Sequence, residues 1–264
     1  MGTLTNGTIV IQSFRKHSIP DWMARCLSSV QQWAQHQGFQ YSLWGDEFYD
    51  LCGPEYLTKG FRNPQAITNL ARLVATQKYL NLGYDAVIWL DADVFVFDQE
   101  GLNLNFPPNM FALGYAFGRE IWMEPWGGVS EHQVHNAVTY FTKSARDLSF
   151  FIDTIRHIDK GREITHNFQV GVQLLRGLQY PLGFEAFPHV AMFSPKTIEA
   201  INENDVSALR TYGQAFGYPS QAANLCLSQE WSITEKKLMQ AMDILEQTRG
   251  ECINSFATEQ YRRL

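Results

Sequence analysis

The sequence predicts an α/β fold in which a mixed, mostly parallel sheet is flanked by helices. Strand-like runs of β-branched residues alternate with amphipathic helical patterns through the first hundred residues. The chain of 264 residues contains no repeat, low-complexity tract or domain-sized linker. A single domain over residues 1–264 is therefore expected.

The first elements form a β-α-β beginning. Residues 8–12 are rich in β-branched side chains and predict a buried strand. Residues 20–37 predict a helix, because apolar side chains recur at helical spacing and Gly38 follows as a stop. Residues 39–44 predict a second strand, and a short acidic helix is expected to open at Gly45.

A well-punctuated helix and a third strand come next. Asn63 is a typical N-cap, Pro64 suits the first helical position, and Gly83 supplies the stop. The run Ala86–Leu90 then has the composition of a buried parallel strand.

The second half of the chain is less regular. Its patterns predict strands over residues 110–116, 134–141 and 184–193, and helices over residues 145–158 and 234–248. A loop is expected between the first two of these strands.

Two carboxylates follow the third predicted strand. Asp91 and Asp93 are one residue apart, so both lie on the same side of an extended chain. Open α/β sheets bind ligands at this carboxyl edge, and oxygen ligands suit Mg²⁺ or Mn²⁺ held together with substrate phosphates. The pair predicts metal-assisted transfer from a diphosphate-bearing donor; the structural alternative is two loop acids that cap a turn.

Composition excludes several classes. The net charge is −6 and there is no basic run, which disfavours nucleic acid as a partner. No transmembrane segment is expected, since no stretch approaches the roughly 20 apolar residues of a spanning helix. The polar start lacks signal-peptide features, so a cytoplasmic protein is expected. The four cysteines are scattered and predict reduced thiols.

Four motifs occur in order over the first hundred residues. They are Ile-Val-Ile-Gln-Ser-Phe (9–14), Tyr-Ser-Leu-Trp-Gly-Asp-Glu (41–47), Asn-Leu-Ala-Arg (69–72) and Trp-Leu-Asp-Ala-Asp (89–93). This arrangement resembles the donor site of retaining glycosyltransferases of the GT-A fold with an Asp-x-Asp motif, in particular glycosyltransferase family 32 and related glucosylating bacterial toxins. Those families carry Asp-x-x-Arg on a helix before a strand that ends in Tyr-Leu-Asp-x-Asp.

The resemblance implies a site for a nucleotide sugar. Gln12 and Phe14 fall where the first strand meets the donor, and Phe14 takes the place of the aromatic that stacks on the nucleobase. Arg72 takes the place of a catalytic cation that contacts the donor phosphate and sugar. Asn69 replaces an acid that binds sugar hydroxyls, which keeps an acceptor but loses the charge.

The same resemblance implies a metal centre. Asp93 corresponds to a direct metal ligand, and Asp91 to the acid that holds the ribose and a metal-bound water, and both count among the catalytic groups. A looser match near the end places Asn224 where the family has a metal-ligating His. Ser228 and Trp231 would there contact the leaving diphosphate.

The function implied is a metal-dependent glycosyltransferase that moves a sugar from a nucleoside diphosphate sugar, UDP- or GDP-linked, to a hydroxyl or amine with retention. Mn²⁺ or Mg²⁺ would neutralise the leaving diphosphate. Residues 1–100 would form the donor half and residues 101–264 the acceptor half. The acceptor stays open between a small molecule, a glycan and a protein.

Acceptor-side residues are indicated by position alone. Glu124, Glu131 and His135 are candidates for a general base, which an inverting enzyme would need. Trp122 and Trp126 are candidates for an acceptor platform, with core packing as the alternative.

Two other function classes remain open. A metal-dependent nucleotidyltransferase has similar strand-end carboxylates, but it usually carries a Gly-rich loop near them, and none is evident. A non-catalytic sugar-binding module on a degenerate glycosyltransferase fold is favoured by Asn69 and Asn224, which replace an acid and a His.

Overall fold

A mixed six-stranded sheet forms the centre of the molecule in a computed structural model that describes residues 7–54, 64–107, 109–161, 170–226 and 233–257. The strands are β1 (Thr8–Ser13), β2 (Gln40–Trp44), β3 (Ala86–Leu90), β4 (Val94–Val96), β5 (Tyr115–Met123), β6 (Val129–Thr142), β7 (Glu185–Phe187), β8 (Val190–Met192) and β9 (Ala222–Asn224). The α-helices are α1 (Asp21–His36), α2 (Pro64–Asn81), α3 (Leu148–Gly161), α4 (Val172–Leu182), α5 (Pro195–Glu203), α6 (Val206–Phe216), α7 (Glu235–Thr248) and α8 (Glu251–Asn254), and a 3-10 helix spans Asp46–Cys52.

The central sheet has the strand order β2-β1-β3-β6-β5-β7. The pairs β1/β2, β1/β3 and β5/β7 are parallel, whereas β6 runs antiparallel to both β3 and β5. The predicted α/β class with a mixed, mostly parallel sheet is confirmed. A second sheet of three short strands, in the order β4-β9-β8, lies beyond the end of β3.

Helices cover both faces of the central sheet. Side chains alternate along β1, so Ile9 and Ile11 join the core that includes Leu70 of α2, whereas Val10 joins the core that includes Trp33 of α1. β3 is buried on both faces in the same way, which explains its uninterrupted apolar sequence. Within the described residues, no helix combines the length and the apolar character needed to span a membrane.

The strand predicted over residues 110–116 is wrong in its bounds, since only residues 115–116 of it belong to a strand. Strand β5 begins only at Tyr115, after turns that include Gly114 at φ 76°. Backbone atoms of Ser144 and Ala145 lie 2.8 Å from where a Cβ on Gly114 would sit, so this left-handed position needs glycine. The apolar residues before it pack from a loop: Phe111 contacts Phe106 edge-on, while Met110 is exposed.

The loop expected after residue 116 is a long hairpin instead. Strands β5 and β6 pair from Tyr115 to Met123, and the turn occupies only residues 124–128. Two bulges insert extra residues into β6: residues 136–138 between the pairs Phe117/Thr139 and Gly118/His135, and His132 nearer the turn. Strand β3 ends at Leu90, which pairs with Val138 of β6. The hairpin continues for six more residues of β5 after Phe117, so it extends about 20 Å beyond the end of β3.

Candidate active site

A cavity of about 730 Å³ opens at the carboxyl ends of β1 and β3, beneath the overhanging hairpin. Its volume lies within the usual range for ligand sites, roughly 300–1,000 Å³. Six of the predicted donor-site and metal-site residues line it: Phe14, Asn69, Arg72, Asp91, Asp93 and Asn224. The fold thus brings together side chains from both ends of the chain.

Asp91 is held by contacts to its side chain and its backbone. Its Oδ1 accepts a hydrogen bond from Trp89 Nε1 at 2.6 Å and lies 3.2 Å from Arg72 Nη2. Its backbone N–H donates to the Ala137 carbonyl at 2.7 Å, and its carbonyl accepts from Gln12 Nε2 at 3.1 Å. The carboxylate is therefore fixed in direction before any ligand binds.

Asp93 is held by the second sheet. Strand β4 pairs Val94 with Asn224, and Asn224 Nδ2 donates to Asp93 Oδ1 at 2.7 Å. The Asn224 oxygen accepts from the Cys226 N–H at 2.8 Å. Because an amide nitrogen does not ligate metals, Asn224 orients Asp93 in this arrangement, and its own ligation of the metal stays a prediction.

The donor set suits a hard divalent cation. The part of the chain that the structure describes has no cluster of three or more His, Cys, Asp or Glu side chains with metal-site geometry. Mg²⁺ and Mn²⁺ do not need such a cage, because one or two carboxylates together with substrate phosphates hold them. Asp91 and Asp93 offer two carboxylates in one cavity, which fits this kind of site.

Arg72 is buried in the cavity wall at 5% exposure. In addition to its ion pair with Asp91, Arg72 donates a hydrogen bond from Nη1 to the Asn136 carbonyl. Its guanidinium carbon lies 5.2 Å from the centre of the Trp89 ring. Burial lowers the pKa of Arg72, an effect that Asp91 and Asp93 oppose. Its Nε finds no hydrogen-bond partner among the described residues. The Arg72 guanidinium is thus held in place beside Asp91.

The bulge in β6 holds this part of the site together. Residues 136–138 face β3 and the cavity, which frees the carbonyls of Asn136 and Ala137 to accept from Arg72 and Asp91. The Asn136 side chain also donates to Asn69 Oδ1 at 2.8 Å. A Cβ on Gly171 would lie 2.5 Å from Asn69 Nδ2, so α4 packs tightly against the same amide. Contact between Asn69 and sugar hydroxyls stays a prediction.

The remaining predicted donor residues differ in their placement. Phe14 lines the cavity just after β1, with the Arg15 guanidinium 5.5 Å from its ring centre. Gln12, in contrast, is fully buried outside the cavity lining, where it bonds to the Asp91 carbonyl and to the Tyr41 hydroxyl. Gln12 therefore supports Asp91 from within the protein, and its contact with the donor stays a prediction. Ser228 and Trp231 lie outside the described residues.

The candidates for a general base separate in space. Glu124 lines the cavity and accepts from Ser130 Oγ at 2.7 Å, whereas Glu131 is exposed and pairs with Arg119 at 3.2 Å. His135 also lines the cavity, but burial lowers its pKa to about 3, so it is neutral and weakly basic at pH 7.

The two tryptophans do not form one platform. Trp122 lines the cavity, while Trp126 sits in the hairpin turn, 77% exposed and away from the lining. Sequence reasoning also missed Glu120 and Arg176, which face the cavity as an ion pair 2.9 Å apart. A period-two pattern in the sequence could have identified Glu120. In an extended chain, Glu120 lies on the same side as Trp122 and Glu124, which the sequence analysis had already selected.

Gly118 gives a test of how tightly the hairpin packs. A Cβ there would lie 2.3 Å from His135 Nε2 and 2.6 Å from Val138 Cγ1. Gly118→Ala should therefore lower the free energy of unfolding by about 1–3 kcal/mol through overpacking. Urea denaturation measures this change.

The matched control is Gly177→Ala. Gly177 lies inside α4 with open space around its Cα, so alanine there should raise stability by roughly 0.5–1 kcal/mol. Equal effects of the two substitutions would contradict the packing described for Gly118.

No protein-family model matches the sequence, and no curated protein matches it. Solved structures do resemble the fold. A glycosyltransferase involved in the glycosylation of the major capsid of PBCV-1 is 13% identical over 89% of this chain and 98% of that chain, with a TM-score of 0.47. The PaToxG glycosyltransferase is 12% identical over 92% of this chain and 86% of that chain, at 0.36.

A third similar structure is a mutant Drosophila β-1,4-galactosyltransferase 7 in complex with manganese, UDP-Gal and xylobiose. It is 12% identical over 53% of this chain and 50% of that chain, with a TM-score of 0.32. The roles proposed below rest on the contacts within this chain.

Proposed function

We propose that this chain is a metal-dependent glycosyltransferase of the GT-A type that uses a nucleoside diphosphate sugar. The observation that carries the proposal is the convergence of the Asp91–Arg72 pair, the Asp93–Asn224 pair and the Phe14 ring on one cavity. A nucleotide sugar offers a flat base, a diphosphate and a polyol, and these side chains match the three parts in chemistry.

Each residue of the site has a separate role in binding the donor or the metal. Phe14 offers an aromatic face to the nucleobase, and Arg72 offers a fixed cation to the diphosphate. Asp91 and Asp93 would hold Mn²⁺ or Mg²⁺, which when bound withdraws charge from the leaving diphosphate. Trp89 and Asn224 keep the two carboxylates in place through their hydrogen bonds.

The reaction breaks the bond between the anomeric carbon and the diphosphate oxygen, which keeps the electron pair. The acceptor oxygen or nitrogen forms the new bond to the anomeric carbon and gives its proton to the leaving diphosphate oxygen. We propose retention, with attack from the face that the diphosphate leaves, so no carboxylate nucleophile is required. The fixed cation and acids are suited to this step because the charge develops on the diphosphate.

The test is hydrolysis of a panel of UDP- and GDP-sugars, with Mn²⁺, with Mg²⁺ and with chelator. Without an acceptor, slow release of the nucleoside diphosphate from one donor is expected, and chelator should abolish it. Failure of every donor to bind or react in a metal-dependent way would overturn the proposal.

A non-catalytic sugar-binding module is the second candidate. Asn69 and Asn224 favour it, because each replaces a residue of the resembling families and each amide is engaged inside the protein. This alternative predicts metal-dependent donor binding, measured by calorimetry, with no release of nucleoside diphosphate under any condition. A nucleotidyltransferase would instead release pyrophosphate from a nucleoside triphosphate and a sugar phosphate.

A further inference from the structure

The β5 side of the cavity carries polar groups that the donor site does not use. Alternation along β5 aims Glu120 and Trp122 into the cavity, while Ile121 and Met123 are buried in the hydrophobic core around the second sheet. Glu124, the first residue after β5, lines the cavity as well. The donor residues described above lie on α2 and β9 and in the segments that directly follow β1 and β3. Two groups of residues from different elements thus line one cavity.

Glu120 is an unusual residue to find in the middle of a strand. It is only 6% exposed, yet its Oε2 is 2.9 Å from Nη2 of Arg176 on α4. Burial raises the pKa of Glu120, and Arg176 opposes that rise. A buried ion pair gives little net stability compared with apolar residues of the same size, so stability alone does not explain this one.

The backbone around Glu120 is irregular. Its partner across the hairpin is Gln133, which holds φ 70°, a left-handed conformation that is uncommon outside glycine. The bulge at His132 follows directly, and His132 itself lines the cavity. Bulges and strained residues of this kind recur where a strand re-aims side chains at a binding site.

We infer that Glu120, Arg176 and Trp122 form the acceptor subsite, and that the acceptor is a carbohydrate which presents a pyranose with adjacent hydroxyls. In such a diol, one hydroxyl donates to the carboxylate and its neighbour accepts from the guanidinium. The C–H face of the ring packs on an indole. This inference rests on the proposed function, because it names the second substrate of the same cavity.

The charges on this wall favour a neutral sugar over an anionic acceptor. Glu120 and Arg176 cancel each other, and Glu124 adds a negative charge. His135 contributes no positive charge at neutral pH, because burial lowers its pKa to about 3. An acidic acceptor would therefore meet net repulsion, whereas hydroxyls can exchange hydrogen bonds with both members of the pair.

The binding experiment uses the full chain with Mn²⁺ and UDP or GDP, whichever it binds. Saturation-transfer NMR and calorimetry are run with methyl α- and β-pyranosides of glucose, galactose and mannose as probes. At least one should bind to the wild-type chain, and Glu120→Gln should weaken that binding about tenfold or more, since a hydrogen bond to a charged group is lost. Trp122→Ala should weaken it by a similar factor through loss of the apolar contact.

Glu100→Gln is the matched control. Glu100 also pairs with an arginine, Arg249, but it is exposed and outside the cavity lining. Sugar affinity should be unchanged in this variant. Thermal unfolding of each variant shows whether it folds. If Glu120→Gln does not fold, Trp122→Ala still tests the assignment of the acceptor subsite.

The outcomes separate this inference from the proposed function. If nucleoside diphosphate binds with Mn²⁺ but no pyranoside binds, or if both variants bind it as the wild type does, the acceptor assignment is overturned and the donor assignment stands. If a pyranoside binds and depends on Glu120 while no nucleotide binds, the sugar subsite stands and the glycosyltransferase proposal fails.

Discussion

Asp93→Ala should reduce metal-dependent turnover of the donor by at least about 100-fold, equal to about 2.7 kcal/mol of lost stabilisation. The side chain is one of two carboxylates at the cavity edge, and Asn224 holds it in place at 2.7 Å. Removing it leaves the cation with one protein acid. Manganese titration in the presence of nucleotide, followed by donor hydrolysis, measures the two losses separately.

The fold should tolerate this change. Asp93 follows β3 and keeps its backbone bond to Leu225, so the free energy of unfolding should change by about 1 kcal/mol, the value of one hydrogen bond. Asp85→Asn is the control, since Asp85 precedes the same strand at its opposite end and pairs with Lys143 on the surface. Normal turnover in Asp93→Ala, or an equal loss in Asp85→Asn, would refute the assignment.

Arg72→Met should lower both stability and donor affinity. The substitution keeps an apolar stem but leaves the Asp91 carboxylate and the Asn136 carbonyl without their cation. Loss of one partner from a buried pair costs about 3–5 kcal/mol, and the part-exposed Asp91 should keep the cost near the lower end. Donor affinity should fall roughly 10- to 100-fold because a charge-assisted phosphate contact is lost.

Metal affinity gives a distinguishing measurement for this variant. Arg72 places a positive charge 3.2 Å from Asp91, so its removal should leave manganese affinity unchanged or increase it. Arg25→Met is the matched control: Arg25 pairs with Asp243 and Glu246 at the surface of α1, and its loss should cost at most about 1 kcal/mol. A parallel loss of metal and donor affinity would show that Arg72 only maintains the fold.

Local signals were sufficient to predict the described elements from β1 to β3. The predicted strand over residues 8–12 and helix over residues 20–37 differ by a residue or so from Thr8–Ser13 and Asp21–His36. Pro64 and Gly83 bracket the helix that carries Arg72. Caps, prolines and glycines act within a few residues, so these boundaries are recorded in the sequence itself.

Most of the elements that the sequence did not predict depend on contacts between distant parts of the chain. Strands β4 and β9 have three residues each and pair across more than a hundred intervening positions, so neither shows a periodic pattern. Helix α4 contains Gly177 and Pro181, which weaken its helical signal. The bulges of β6 break the alternation that would have identified the hairpin.

In the candidate site, too, local motifs predict some residues, whereas others are revealed only by contacts between distant parts of the chain. Asp91, Asp93 and Arg72 could be found because motif order links them, and the structure places all three in one cavity. Glu120 and Arg176 are 56 positions apart on a strand and a helix, so only the folded chain reveals the pair. Gln12 shows the converse, since its motif was recognised but its side chain supports Asp91 from within the protein.

The way Asp91 and Asp93 are anchored has a consequence for engineering. Asp91 is fixed by α2 and the central sheet, while Asp93 is fixed by Asn224 in a strand that forms only after most of the chain has been synthesised. A fragment of residues 1–100 would retain the Asp-x-Asp sequence but lose the partner of its second acid and the carbonyls of β6. The motif is contiguous, yet the smallest unit that can be transplanted with its geometry intact extends from β1 to at least β9.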